Sequence, residues 1–172
     1  MKNLFVLLLT LATSGLFAQQ KAIERFFNQY QGVENATHLN ISGNMLEWIS
    51  NAKDENGDYR FASRLKGLRV LSLPSSITVD ASEVLHLRQS ILANRFEELI
   101  RVRDGKELVN IYLLENNQQV IEEVVILVEG ETEFTLVSLT GELYREDLHK
   151  LEIEGDAGDM FRHIPDDKHP RP

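Results

Sequence analysis

Val124-Val125-Ile126-Leu127-Val128 is an unbroken run of five apolar residues, preceded by Glu122-Glu123 and followed by Glu129-Gly130. A strand with one wet face alternates apolar and polar side chains. A run that is apolar at every position predicts a strand hidden on both faces, at the centre of a sheet. The flanks agree. Upstream, Ile100 and Val102 alternate with Arg101 and Arg103, Asp104-Gly105 supplies a hairpin turn, and Val109, Ile111 and Leu113 alternate in the next strand. Asn116-Asn117 marks the turn into the apolar run and Gly130 the turn out of it. Phe134, Leu136, Val137 and Leu139 form a further strand, which Thr140-Gly141 is expected to end. Four strands in sequence joined by short turns predict an antiparallel meander. Either helices or another chain can supply the cover that the central strand requires.

Toward the N-terminus the period lengthens. Asp80 and Glu83 have the spacing of a capping box, with Asp in the place of Ser or Thr, and open a helix through Val84, Leu87, Ile91 and Leu92 that ends near Asn94. Leu65, Leu68, Val70, Leu71 and Leu73 predict a buried strand stopped by Pro74. Asn51–Arg60 has no apolar period and reads as an exposed loop. Ser42 is placed to cap a helix through Met45, Leu46, Trp48 and Ile49, and Leu39 and Ile41 alternate in a short strand before it. Ile23, Phe26, Phe27 and Tyr30 recur at helical spacing over Gln20–Gln31, where Gly32 ends the element. Beyond the meander, Leu143, Leu148 and Leu151 suggest a last short helix.

The two ends differ from the body. Lys2 precedes an apolar run, Leu4 to Leu11, and then small residues up to Ala18. This order of positive, apolar and small segments reads as a secretory signal peptide over residues 1–18, with cleavage after Ala18 and a mature start at Gln19. The run is too short for a membrane span of roughly twenty residues, and no later stretch approaches that length. Ile153–Pro172 holds three of the four prolines, many charges and few apolar residues, and reads as a flexible charged tail. The expected organisation is a signal peptide (1–18), one α+β domain (19–152) and the tail (153–172). The domain is expected in two layers: the four-stranded antiparallel meander plus one or two earlier strands, with helices packed on the sheet.

Charge and composition remove several functions. Eighteen Lys and Arg stand against 27 Asp and Glu among 172 residues, a net charge of -9. Nucleic acid is therefore not an expected partner. The chain has no cysteine, which excludes disulfides, thiol catalysis, iron–sulfur clusters and lipid attachment at an N-terminal cysteine.

Four strings carry a resemblance to a family: Phe26-Phe27-Asn28-Gln29-Tyr30, Asn40-Ile41-Ser42-Gly43-Asn44-Met45-Leu46, Phe96-Glu97-Glu98-Leu99-Ile100-Arg101-Val102-Arg103-Asp104-Gly105, and Phe134-Thr135-Leu136-Val137-Ser138-Leu139-Thr140-Gly141. In order and spacing they resemble the Bacteroidetes-type family of small exported proteins numbered 4252 among domains of unknown function. The resemblance spans about Lys21 to Leu151. It implies an exported single-domain protein and brings no catalytic residues with it.

Candidate chemistry is thin. His38, His86, His149, His163 and His169 form no HxxxH or HxH pair, and no serine sits in GxSxG. Asp54-Glu55-Asn56-Gly57-Asp58 alternates oxygen side chains as calcium requires, but Tyr59 and Leu65 stand where an EF-hand needs Gly and Glu. A polar turn is the better reading. His163, Asp166, Asp167 and His169 offer metal donors, whose ordering in a flexible tail is opposed by entropy. Glu107, Glu115, Glu122, Glu123, Glu129, Glu131, Glu133 and Glu142 crowd the sheet half, with Lys106 as the one base between Arg103 and Glu142. They read as a solubilising face, or as a surface for a cationic partner. Phe26, Phe27, Tyr30, Met45 and Trp48 are core or pocket lining, and helical spacing favours core. No catalytic, cofactor-binding or metal residue is assigned.

The expected function is that of an exported, non-enzymatic protein, periplasmic or secreted, acting as a binding or structural interaction module. The alternative is a carrier or sensor of a small apolar ligand held between sheet and helices. The expected partners are an envelope protein, such a ligand or a second copy of the chain.

Overall fold

The computed structural model describes residues 21–52 and 62–148. The signal peptide, the Asp54–Asp58 loop, Leu151 and the charged tail lie outside the described residues. The elements run α1 (Lys21–Tyr30), β1 (Thr37–Ser42), α2 (Gly43–Ala52), a short 3-10 turn (Ala62–Arg64), β2 (Leu65–Pro74), α3 (Ala81–Ala93), β3 (Glu97–Asp104), β4 (Glu107–Glu115), β5 (Ile121–Glu129), β6 (Glu133–Leu143) and α4 (Arg145–Leu148). The six strands make one sheet in the order β1-β2-β6-β5-β4-β3, antiparallel at every pairing. The fold is α+β. The meander β3–β6 is present, and β2 and β1 extend it beside β6. α3 carries the chain from β2 across to the far edge strand β3.

β5 is the covered strand its sequence requires. Val124, Val125 and Leu127 are wholly buried and Ile126 nearly so. Their alternation feeds two cores. Val125 and Leu127 join Tyr112, Leu136, Leu71 and Leu73 beneath α1 and α3, which supply Phe26, Phe27, Tyr30, Leu87 and Ile91. Val124 and Ile126 join Ile111, Val109 and Leu139 on the other face, where α2 contributes Leu46 and α4 Leu148.

Packing joins α1 to α3 and to the sheet. Phe26 stacks at 5.1 Å from Tyr30 and 5.3 Å from Phe134. Asp80 caps α3 by accepting from the Ser82 amide at 2.7 Å. Glu83 does not complete the capping box. Its carboxylate accepts instead from the Tyr30 hydroxyl and the Gln29 amide, both at 2.7 Å, and ties the two helices together. Burial, then the Glu83 hydrogen bond, pushes the Tyr30 phenol up to about 12.

Four expectations are corrected. β6 does not end at Thr140-Gly141 but runs on to Leu143. A Cβ on Gly141 would lie 2.6 Å from the Arg64 carbonyl oxygen, so glycine here permits a close backbone approach within the strand. Met45 and Trp48 are not core: they are 47% and 65% exposed. α2 packs against the second core through Leu46, and Met45 and Trp48 stay exposed. Leu92 likewise faces solvent on α3. The predicted loop from Asn51 starts later, since α2 extends to Ala52.

The acidic residues of the sheet half are neither one bare face nor a uniform field. Glu129 receives two hydrogen bonds from Arg88, Glu115 one from Arg145, and Glu142 one from Lys66; Glu131 pairs with Lys106. Glu133 accepts from Ser72 and Thr135. Four of the eight are thus neutralised by a cation, and the rest of the set keeps its charge.

Candidate functional site

A group of polar side chains meets on the α1 face of the sheet. Register places Asn40 of β1 opposite Arg69 of β2, and Arg69 opposite Ser138 of β6. One step along, Thr140 of β6 pairs with both Gly67 of β2 and Glu123 of β5. The ladder is irregular on both sides of this point, between Leu65 and Gly67 and between Ile121 and Glu123. Such irregularities re-aim side chains and often border functional sites.

These side chains line a cavity of about 510 Å³ with Ile23 and Glu24 of α1, Ile41 and Ser42 of β1, and Lys66. Its size suits a small molecule. Gly67 keeps it open, for a Cβ there would stand 3.2 Å from the Thr140 hydroxyl.

Glu123 is 7% exposed and accepts from the Ser138 hydroxyl at 2.8 Å. Burial raises its carboxyl above the ordinary glutamate range, against the Ser138 hydrogen bond and the attraction of Arg69, while Glu24 adds to the rise. Arg69 gives one hydrogen bond to Glu24 at 2.6 Å, and its guanidinium lies 4.5 Å from the centre of the Phe27 ring. At the rim, Lys66 is bound to Glu142 at 2.7 Å.

Of the charged and histidine candidates singled out from sequence, Glu123 alone lines the cavity, where the sequence places it on a charged face. Arg69, Ser138, Thr140 and Asn40 were missed. A signal existed: Glu123 falls on the same side of the pleat as Val125 and Leu127, and Arg69 interrupts the apolar run of β2. A charge at an inward position is the mark of a buried polar site. Phe26, Phe27 and Tyr30 join the α1 core, and Phe27 backs the cavity through Arg69. His38 donates through Nε2 to the Tyr30 carbonyl at 2.8 Å. The described residues bring no three His, Asp or Glu together to hold a metal ion. None of the described helices is long and apolar enough to cross a membrane.

A family model described as Domain of unknown function (DUF4252) matches residues 30–151, more than half of the chain. The chain belongs to the DUF4252 family. The DUF4252 match covers all six strands and the β-strand walls of the cavity, and starts at the last residue of α1. No curated protein and no solved structure matches the chain.

Proposed function

We propose that this DUF4252 protein is an exported, non-enzymatic binding module of the cell envelope whose working site is the Glu123 cavity. The carrying observation is a buried carboxylate set among hydroxyl, amide and guanidinium groups around about 510 Å³ of open space. A fold gains no stability from leaving a buried ionisable group short of partners, so such an arrangement is what a ligand site costs. The polar lining supports a small polar ligand over the apolar one of the alternative sequence reading. Ser138 and Glu123 have the residue types of a nucleophile–base pair, but no third group among the described residues orients the carboxylate, which supports binding over turnover. Export rests on the Lys2–Ala18 pattern.

Native mass spectrometry on protein purified from the envelope fraction tests this. A small molecule should accompany the wild-type chain and be lost from Gly67→Val, which grows a side chain into the cavity. A wild-type chain with no added small-molecule mass would remove the reading.

A second reading has its own support. The edge strand β3 is guarded by Glu97, Glu98, Arg101 and Arg103 and by an irregularity between Glu98 and Ile100. The opposite edge, β1, has no Lys, Arg, Asp or Glu, pairs with β2 in unbroken register, and exposes Leu39. An extended segment of an envelope protein added there as a further strand fits these features. Replacement of Leu39 by Lys should abolish such a complex and leave the cavity ligand bound.

A further inference from the structure

We propose that the cavity takes a small ligand bearing a protonated amine, held by the Glu123 carboxylate. The inference rests on the cavity being the working site and names the class of its ligand. Each charged group of the lining other than Glu123 already has an opposite charge in contact. Arg69 binds Glu24 at 2.6 Å and Lys66 binds Glu142 at 2.7 Å. Glu123 has the Ser138 hydroxyl as its sole hydrogen-bond partner among the described residues, and its second carboxylate oxygen receives none from them. The other polar lining groups, Asn40, Ser42 and Thr140, are neutral. The cavity therefore holds one negative charge with no cation in contact.

The complement of that charge is an ammonium group. Folding has already removed most of the water around Glu123, which is 7% exposed, so pairing is opposed chiefly by dehydration of the ligand. An ammonium brings three N–H donors, which the free Glu123 oxygen and the neighbouring hydroxyl and amide oxygens can accept. An anionic ligand meets repulsion from Glu123 and finds both cations engaged. A neutral polyol reaches the same hydrogen bonds but supplies no charge.

The groups facing Glu123 are Glu24 from α1, Arg69 and Lys66 from β2, and the neutral Ser138 and Thr140 from β6. Because burial raises its carboxyl, ammonium binding requires that Glu123 first release its proton, and affinity should fall as pH is lowered through that raised value.

Calorimetric titration of the full chain with aminobutanol, butanediol and hydroxybutyrate, at matched ionic strength and neutral pH, compares a cation, a neutral molecule and an anion on one carbon skeleton. Aminobutanol should bind, the other two should not, and Glu123→Gln should weaken it by at least about tenfold. If that variant does not fold, the loss of aminobutanol affinity with falling pH in the wild-type chain carries the test. Equal aminobutanol binding by wild type and Glu123→Gln overturns the proposal, since it marks general attraction to an acidic chain. Binding of butanediol or hydroxybutyrate that Gly67→Val abolishes overturns the amine and leaves the cavity reading intact. No binding by any of the three removes the amine, and the mass-spectrometric comparison then decides the cavity reading alone.

Discussion

Glu123 illustrates how one inward-facing charge couples stability to pH. Its carboxyl is raised on folding because burial disfavours the charged form. The folded chain therefore holds the proton more tightly than the unfolded chain. The sign follows from linkage: this contribution is fully present below the ordinary glutamate value of 4.5 and is lost as pH rises through the raised folded value. The wild-type chain should thus lose stability relative to Glu123→Gln as pH climbs through that window. Urea denaturation of both chains across a pH series measures it, and a pH-independent difference between them would contradict the assignment. Tyr30 shows the companion effect in a helix contact, where burial and then the Glu83 carboxylate push the phenol up.

At the scale of elements, β5 carries the fold. It lies between β4 and β6 and gives Val125 and Leu127 to one core and Val124 and Ile126 to the other. Ile126→Asp places an unpaired carboxylate in a dry site and should cost several kcal/mol, of the order of about 5 kcal/mol, close to the whole stability of a domain. Glu122→Lys is the control. Glu122 is exposed and accepts one weak hydrogen bond from Asn116 at 3.3 Å, so its replacement should change stability by less than about 0.5 kcal/mol. Chemical denaturation of the two variants decides, and a stable Ile126→Asp would mean that the strand is not covered on both faces. The Thr140-Gly141 pair shows where element-level reading fails. The dipeptide has the composition of a turn, yet the chain passes straight through it because Gly141 lets the Arg64–Leu65 backbone approach. No local signal distinguishes a glycine that turns a chain from one that makes room for another strand.

At the scale of the whole molecule, the N-terminal pattern makes a prediction about location. Fractionation with N-terminal sequencing should find the chain in the envelope and beginning at Gln19; a chain beginning at Met1 in the cytoplasm would contradict export. What the sequence by itself determined was the α+β class, the meander and most of its turns, α1 and α3 with their buried faces, and the family. These are written in periods of two and of 3.6 residues, which depend only on neighbours along the chain. Tertiary structure alone decided that β2 pairs with β6, that Met45 and Trp48 point outward, and that Glu115, Glu129, Glu131 and Glu142 find basic partners distant in sequence. It also decided the site. Asn40, Arg69, Glu123 and Ser138 come from four different strands, and their convergence is a matter of strand order and register. Long-range pairing is chosen by the shared burial of whole faces, and a linear pattern shows that a residue points inward without showing what it will meet there.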